Sequence, residues 1–394
     1  MKKLQSYFIF ILSALFSCTG ADEGSFDSLT GWDIEKESFD ASVEEQAKEL
    51  DIPGLSLVVI NDGVQVHRVN YGFADVAHQV PVSDQTIFEA ASISKPVFAY
   101  LVMKFVDEGK LDLDRPLYQY YPHPDLENEP WSKLLTARLI LSHQSGLPNW
   151  REDDPDQILR FEFEPGTAYG YSGEAYQYLA EVLREIENTD WDGLEAAFQA
   201  KVAQPLGMEH TVFIQNEYTR INKAQPYDLE GNLIDWENDY WFQKNDSVFV
   251  APASVHSEPG DFGKWMTAIM NKEGLSEEAF ESMLTRQVDI PDAPFKSAYT
   301  LGFVNLEVPG FDIIMHTGNN EGFTSYFLMD TTKKWGYVLF TNSEYGEELG
   351  LLLLLQLVTG PKIKVLFALA GILLLGMTIG IFYGIYRLIK FVLT

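Results

Sequence analysis

The chain has 394 residues, 46% of them hydrophobic and 13% aromatic, which excludes a disordered chain and fits a packed globular body. With 58 acidic residues against 28 basic ones, the net charge is −30, which argues against nucleic acid or an anionic lipid surface as a partner. Cys18 is the only cysteine, so an internal disulfide framework is excluded.

The chain begins with the pattern of an export signal. Two lysines precede an apolar run at 7–17 that is too short to span a membrane, which predicts a signal peptide at residues 1–18. Its processing has two alternatives. Cys18 follows "LFS" as in a bacterial lipobox, which predicts acylation of the cysteine, whereas ordinary cleavage would fall near Ala21. The polar and acidic residues 19–37 are predicted to form a linker.

The other end of the chain is predicted to anchor the protein in a membrane. Residues 365–386 carry no charge and have two basic residues on each side, which predicts a transmembrane helix and a short cytoplasmic tail within 361–394. Together with the signal peptide, this helix predicts a domain held outside the cytoplasm. Gly376, Gly380 and Gly384 could let two such helices pack closely, so a homodimer through this helix is one expectation.

Between these ends, residues 38–360 predict one domain of mixed helix and strand. A helix is expected near 41–50, followed by strands at 55–60 and 64–72 that flank the hairpin turn "NDG". Residues 88–270 are predicted to be mostly helical.

Strands return near residue 300 in "TLGFVNLEV", "FDIIMH", "TSYFLMD" and "WGYVLFTN", before a closing helix at 345–358. The predicted fold class is therefore α+β, an α/β/α sandwich. Its antiparallel sheet is built from both chain ends and flanked by helices, with a helical lobe inserted. The junction of sheet and lobe is the expected place for a site.

The first candidate motif is "SISK", in which Ser92 and Lys95 stand three residues apart at the start of an apolar run. Lys95 is the only lysine with a serine three residues before it. Residues i and i+3 share a helix face, so the amine can accept the hydroxyl proton, and burial would lower its basicity. Ser94 faces elsewhere and is predicted to be dispensable. The alternative is a capping serine beside a lysine that reaches solvent.

The second motif is "YGYSGEAY", in which Tyr171 precedes a helix expected to start near Ser172. A tyrosine held beside a cationic lysine is expected to have a lowered pKa, which would let it move protons. Because the chain has 19 tyrosines, the alternative of a loop aromatic that packs on the body stays open.

The third motif is "HTGNN", at the end of an apolar strand. Gly318 has no side chain, so a substrate could lie close against this strand. His316 is predicted to hydrogen-bond to the substrate or to Tyr171, and the Asn319 amide to face an oxyanion. The alternative is a strand that ends in a common Gly-Asn turn.

Taken together and in this order, the three motifs resemble those of penicillin-binding-type serine hydrolases. This group includes class C β-lactamases, D-alanyl-D-alanine carboxypeptidases, esterases and D-aminopeptidases. "SISK" matches the nucleophile motif, "YSG" at 171–173 the Tyr-x-Asn motif, and "HTG" at 316–318 the Lys/His-Thr/Ser-Gly motif. With "LILSHQSGLPNW" and "QPLGMEHTVF", the resemblance covers roughly residues 40–358 and implies a β-lactamase/transpeptidase-like fold.

The resemblance implies an acyl-enzyme mechanism that needs no cofactor and no metal. Ser92 would attack a carbonyl, while Lys95 and Tyr171 share the proton transfers. His316 would complete the catalytic set. The residues implied to bind the substrate or the oxyanion are Ser92, Gly173, Gly318 and Asn319.

Two departures from the family pattern bear on the substrate. Gly173 stands where asparagine is usual, so an amide that helps to hold substrate in many relatives is missing. His316 stands where many relatives have a lysine, so a permanent cation for a substrate carboxylate is missing. At low pH, protonation of His316 would be expected to restore that cation.

We therefore predict a membrane-anchored serine hydrolase for ester, D-amino-acid peptide or β-lactam acyl donors, including cell-wall-derived ones, with esters and peptides preferred. The rival from a different class is a non-catalytic, membrane-tethered binding protein that retains the fold. An α/β-hydrolase is excluded because Glu174 stands where its nucleophile elbow needs glycine. The seven histidines form no zinc-binding motif.

Overall fold

The largest feature of the structure is a sheet assembled from distant parts of the chain. A computed structural model describes residues 24–151, 156–235, 247–291, 293 and 296–360. The strands are β1 (Ser25–Asp27), β2 (Asp33–Glu35), β3 (Gly54–Asn61), β4 (Val64–Asp75), β5 (Val80–Pro81), β6 (Phe88–Glu89), β7 (His256–Ser257), β8 (Val288–Asp289), β9 (Ser297–Tyr299), β10 (Val304–Val308), β11 (Phe311–Asn320), β12 (Phe323–Asp330) and β13 (Trp335–Thr341). The helices are α1 (Lys36–Glu49), α2 (Ser94–Asp107), α3 (Ala137–Leu141), α4 (Gly173–Glu187), α5 (Trp191–Phe198), α6 (Glu217–Asn222), α7 (Pro259–Asn271), α8 (Glu277–Leu284) and α9 (Gly346–Thr359).

Nine strands form this sheet in the order β5-β4-β3-β13-β12-β11-β10-β9-β8, and each neighbouring pair is antiparallel. The pairing of β13 with β3 joins the early and late strands, as the sequence predicted. The hairpin turn between β3 and β4 contains Asp62 and Gly63, both at positive φ, which is the backbone of a type I′ turn.

Helix α7 covers one face of the sheet with large aromatic side chains. Phe262 packs edge-on against Phe340, and Trp265 stacks on Phe303 with 5.9 Å between ring centroids. Most residues of α2 are buried as well, which fits its nearly continuous apolar sequence. Such rings remove much apolar area from water, so this packing is a main source of stability.

The α+β fold is confirmed, but the part of the predicted fold class that added a C-terminal transmembrane helix requires correction. None of the described helices is long and apolar enough to cross a membrane. The strongly apolar α9 has 14 residues, whereas a span needs about 20. The predicted helix at 365–386 and the predicted signal peptide at 1–18 lie outside the described residues.

The chain divides into two compact units, and residues Val43–Leu353 form the larger one. The smaller unit includes part of the predicted linker, 19–37, where β1 and β2 pair as a short antiparallel ladder. Phe26 and Ile34 lie opposite each other in this ladder and are buried, and the Phe26 ring packs edge-on against Phe39. Regular structure forms here because these alternating apolar side chains share one face.

Candidate active site

Ser92 and Lys95 lie together where a tight turn enters helix α2. Ser92 is the middle residue of the 3-10 turn Ala91–Ile93, which leads directly into α2. Ala91 has a φ of +46°, an uncommon conformation for a residue with a side chain, and such strain is concentrated at functional sites. Lys95 Nζ lies 3.1 Å from Ser92 Oγ, so the predicted i, i+3 contact is present.

Lys95 is fully buried and is held by one further oxygen. Its Nζ donates to the Pro252 carbonyl at 3.1 Å. The predicted loss of basicity is confirmed, since burial lowers the pKa of Lys95 to about 7. A neutral amine beside Ser92 Oγ can accept the hydroxyl proton near neutral pH.

Tyr171 completes a chain of three polar groups, but its pKa moves in the direction opposite to the prediction. Its ring lies beside Lys95, whose Nζ is 4.5 Å from the ring centroid. Burial raises the pKa of Tyr171 well above its ordinary value, although the polar side chain of Ser92 acts to lower it. The expected lowering is therefore wrong: Tyr171 stays a phenol, which can donate a proton and recover it.

His316 lies on β11 with both ring nitrogens engaged by other residues, so its predicted hydrogen bond to Tyr171 is wrong, although the two rings lie near each other, with 6.3 Å between centroids. Nδ1 lies 2.6 Å from the Thr317 carbonyl and Nε2 lies 2.9 Å from the Tyr299 hydroxyl. A carbonyl can only accept, so Nδ1 carries the proton and Nε2 accepts from Tyr299. Burial, together with the nearby charge of Lys95, lowers the pKa of His316 to about 3. The expectation that His316 becomes cationic in mildly acidic solution is wrong as well.

Gly318 allows β11 to pass close to the backbone of Ser92. A Cβ at Gly318 would lie 2.8 Å from Ser92 N and 2.6 Å from the Ala90 carbonyl oxygen, distances that real Cβ atoms do not adopt. The missing side chain therefore leaves space in front of the Ser92 amide. Asn319 follows Gly318 on the strand and is exposed. Its role as the second oxyanion donor stays a prediction.

The arrangement of serine, lysine and tyrosine beside the glycine-containing strand β11 agrees with a match at family level. The family model described as Beta-lactamase matches residues 39–358, most of the chain. The chain belongs to the β-lactamase family. The predicted resemblance to penicillin-binding-type serine hydrolases is thereby confirmed.

Individual relatives are distant. Protein flp of Staphylococcus aureus (strain MW2) is 23% identical over 337 residues, which cover 80% of this chain and 65% of flp. D-alanine carboxypeptidase AmpC of Burkholderia cenocepacia has a TM-score of 0.67 at 18% identity, covering 82% of this chain and 99% of that one. D-amino acid amidase of Ochrobactrum anthropi SV3 has a TM-score of 0.66 at 20% identity, covering 78% and 91%. These two structural likenesses show a shared fold.

At Gly173, where the β-lactamase-family motif usually has asparagine, a neighbouring loop occupies the space that a side chain would need. A Cβ at Gly173 would lie 2.9 Å from Trp150 Cη2 and 3.1 Å from the Asn149 carbonyl oxygen. The Asn149 side chain also accepts the Gly173 N–H at 3.0 Å. An asparagine at position 173 would therefore require Trp150 to move.

Three residues of the site were not predicted as functional. Ser94, predicted to be dispensable, is fully buried and donates to the Ala91 carbonyl at 2.6 Å while accepting the Val255 N–H at 3.0 Å. It therefore ties the strained turn to the segment directly before β7. Tyr299 and His143 are also buried against Tyr171 and His316. The sequence signal for His143 was its position in "LSHQSGLP", whereas Tyr299 had none.

A buried ion pair lies behind the Ser92 turn. Lys223 Nζ donates to Glu89 Oε1 at 2.5 Å and lies 3.1 Å from His256 Nε2, while Asn320 Nδ2 donates to Glu89 Oε2 at 2.5 Å. Burial alone would raise the pKa of Glu89, but the charge of Lys223 and the nearby polar ring of His256 outweigh it and lower that pKa to about 2. Among the residues that the structure describes, no cluster of acidic, histidine or cysteine side chains could hold a metal ion.

Replacing Lys223 with methionine is expected to lower the free energy of unfolding by about 3–5 kcal/mol, because it leaves the Glu89 carboxylate buried without its cation. Urea unfolding measures this change, and Glu89→Gln/Lys223→Met should recover part of it. In the wild type, the folded pKa of Glu89 lies below its unfolded value. The pair's contribution is therefore complete above about pH 4.5 and is lost as the pH falls toward 2. If Lys223→Met lowers the free energy of unfolding by less than about 1 kcal/mol, the buried ion pair does not have the predicted role in stability.

Proposed function

We propose that this β-lactamase-family chain is a serine hydrolase that forms an acyl-enzyme on Ser92, with Lys95 as the base. The observation that carries the proposal is the 3.1 Å contact between Lys95 Nζ and Ser92 Oγ, with a buried amine of pKa about 7. Such a group is poised to exchange a proton near neutral pH. The names of relatives point the same way: besides the carboxypeptidase and the amidase, they include a hydrolase.

The proposed reaction runs in two halves. Lys95 accepts the Ser92 proton as Oγ attacks a carbonyl carbon, and the Ser92 and Asn319 amides hold the oxyanion. One such donor contributes about 3–4 kcal/mol in other hydrolases. Tyr171, which remains a phenol, protonates the leaving group and is reprotonated from Lys95. Water then attacks the acyl carbon, and the same groups return the proton to Ser92.

We propose neutral acyl donors as the substrates, namely esters or D-amino-acid amides and peptides, including cell-wall-derived ones, in preference to β-lactams. His316 supports this because its ring is neutral above about pH 3 and both of its nitrogens are occupied. A substrate carboxylate brought to that position would therefore meet no cation there. Leaving such a charge without a partner typically costs 1–3 kcal/mol or more.

The test compares nitrocefin with its methyl ester, which differ only in that carboxylate. We expect kcat/KM to be at least about tenfold higher for the methyl ester at pH 7.5, a factor that corresponds to about 1.4 kcal/mol. p-Nitrophenyl butyrate should also be hydrolysed faster than nitrocefin. The ratio of ester to acid should stay constant from pH 5 to pH 8, because His316 does not titrate in that range. Faster hydrolysis of the free acid would contradict the proposed preference.

A further inference from the structure

His143 contacts the segment around Tyr171 at three points. Its carbonyl oxygen accepts the Gly170 N–H at 2.8 Å, and its ring Nδ1 accepts the Ser172 N–H at 3.0 Å. Its ring also packs against the Tyr171 ring, with 4.2 Å between centroids and 36° between planes. His143 thus holds Tyr171 and the residue on each side of it, through its side chain and its backbone carbonyl.

This arrangement has two local costs. His143 has a φ of +56°, a left-handed conformation that is unfavourable for a residue with a side chain. Because Nδ1 accepts a hydrogen bond, the neutral ring carries its proton on Nε2, and buried Nε2 makes no hydrogen bond to any described residue. Strained backbone conformations cluster at functional sites, and a buried polar atom without a partner is uncommon in folded proteins.

The surroundings of His143 keep its ring neutral. It is fully buried and faces Tyr169, Tyr176 and Tyr299, and the cationic form of Lys95 and the ring of His316 disfavour a further charge. These effects lower the pKa of His143 well below its ordinary value. Nδ1 therefore stays available as the acceptor for the Ser172 N–H across the working pH range.

We propose that His143 is a positioning residue that holds the Tyr171 phenol against Ser92 for proton transfer to the leaving group. The inference rests on the proposed role of Tyr171 as the proton donor. It assigns to His143 a geometric task rather than contact with the substrate. The consequence is specific: loss of His143 should matter most for leaving groups that must be protonated as they depart.

The experiment uses two esters of the same acid. Ethyl butyrate has a poor leaving group that requires a proton, whereas p-nitrophenolate leaves without one. General acid catalysis typically contributes 10²–10⁴-fold. We therefore expect His143→Gly to lower kcat/KM for ethyl butyrate roughly 100-fold and for p-nitrophenyl butyrate less than about fivefold. His143→Asn is the matched control, since it tolerates the same φ and places its Oδ1 near the lost Nδ1 acceptor. It should retain most of the activity on both esters.

Tyr171→Phe separates this inference from the proposed function. It should show the same selective loss, and adding His143→Gly to it should cause little further loss, because both changes remove one contribution. If Tyr171→Phe leaves kcat/KM for ethyl butyrate unchanged, Tyr171 is not the proton donor, and the inference about His143 is wrong as well. The positioning role alone is wrong if Tyr171→Phe shows the selective loss but His143→Gly does not. That outcome includes an unchanged kcat/KM for ethyl butyrate and an equal fall in kcat/KM for both esters. If His143→Gly does not fold, His143→Gln replaces it, because glutamine fills more of the volume of the lost ring. Its side-chain oxygen lies one bond too far out to accept the Ser172 N–H, so we expect the same selective loss of kcat/KM for ethyl butyrate.

Discussion

Replacing Ser92 with alanine is expected to abolish acyl-enzyme formation and to lower kcat/KM for p-nitrophenyl butyrate by about 10⁴-fold or more. Removing the nucleophile of a serine hydrolase typically costs up to about 10⁶-fold, because the remaining groups act only through it. A fluorophosphonate probe should add its mass to a single peptide of the wild type, the one that contains Ser92. Intact-protein and peptide mass spectrometry measure both outcomes.

Ser94→Ala is the matched control for this prediction, since it removes a serine hydroxyl two residues away. Ser94 bridges the Ala91 carbonyl and the Val255 N–H, so its loss should lower the free energy of unfolding by about 1–3 kcal/mol. The folded variant should still be labelled at Ser92. Labelling that survives Ser92→Ala would identify a different nucleophile. A wild type that is never labelled would instead favour the non-catalytic binding protein, an alternative to which Gly173 and the Trp150 ring above it give some weight.

Local patterns in the sequence were sufficient for the fold and for the first half of the site. Apolar runs and the turn "NDG" predicted the β3–β4 hairpin, and the late apolar segments predicted β10 to β13, whereas the short strands β5, β8 and β9 were not predicted. The spacing of Ser92 and Lys95 predicted their contact, because residues three apart meet within a single turn of helical backbone, here the 3-10 turn that leads into α2. Short-range geometry of this kind depends on few other residues.

Contacts that depend on tertiary packing could not be predicted in the same way. Tyr299 reaches His316 across the sheet, and Trp150 fills the space beside Gly173 from a separate loop. Neither position carries a periodic or turn signal that distinguishes it from other aromatic residues. The pKa of Tyr171 was predicted with the wrong sign for the same reason. The nearby Lys95 is visible in the motif, whereas the burial that raises the pKa of Tyr171 comes from the assembled fold.

Replacing Lys95 with methionine is expected to lower kcat/KM by about 10³-fold and to remove its pH dependence between pH 5 and 8. In the wild type, kcat/KM for p-nitrophenyl butyrate should fall about tenfold for each pH unit below 7, as Lys95 gains a proton and ceases to be a base. Lys95→Arg is the matched control. Arginine keeps a cation near Ser92 but does not lose its proton in this range. If kcat/KM falls as far in Lys95→Arg as in Lys95→Met, the loss is due to the missing base and not to the missing charge.

Whereas Lys95→Met should lower the activity, it should raise the free energy of unfolding at pH 7. The folded pKa of Lys95 lies below its unfolded value, so between about pH 7 and 10.5 the unfolded chain binds more protons at this residue. The wild type should therefore gain stability as the pH rises through this window, and at pH 7 and below it carries the full cost of burying the cation. Lys95→Met lacks that cost, so it should be more stable than the wild type at pH 7 and should lack this slope in urea unfolding. An inactive variant that unfolds more easily would indicate that lost packing explains the inactivity, while a variant that keeps the wild-type pH profile would show that another group is the base.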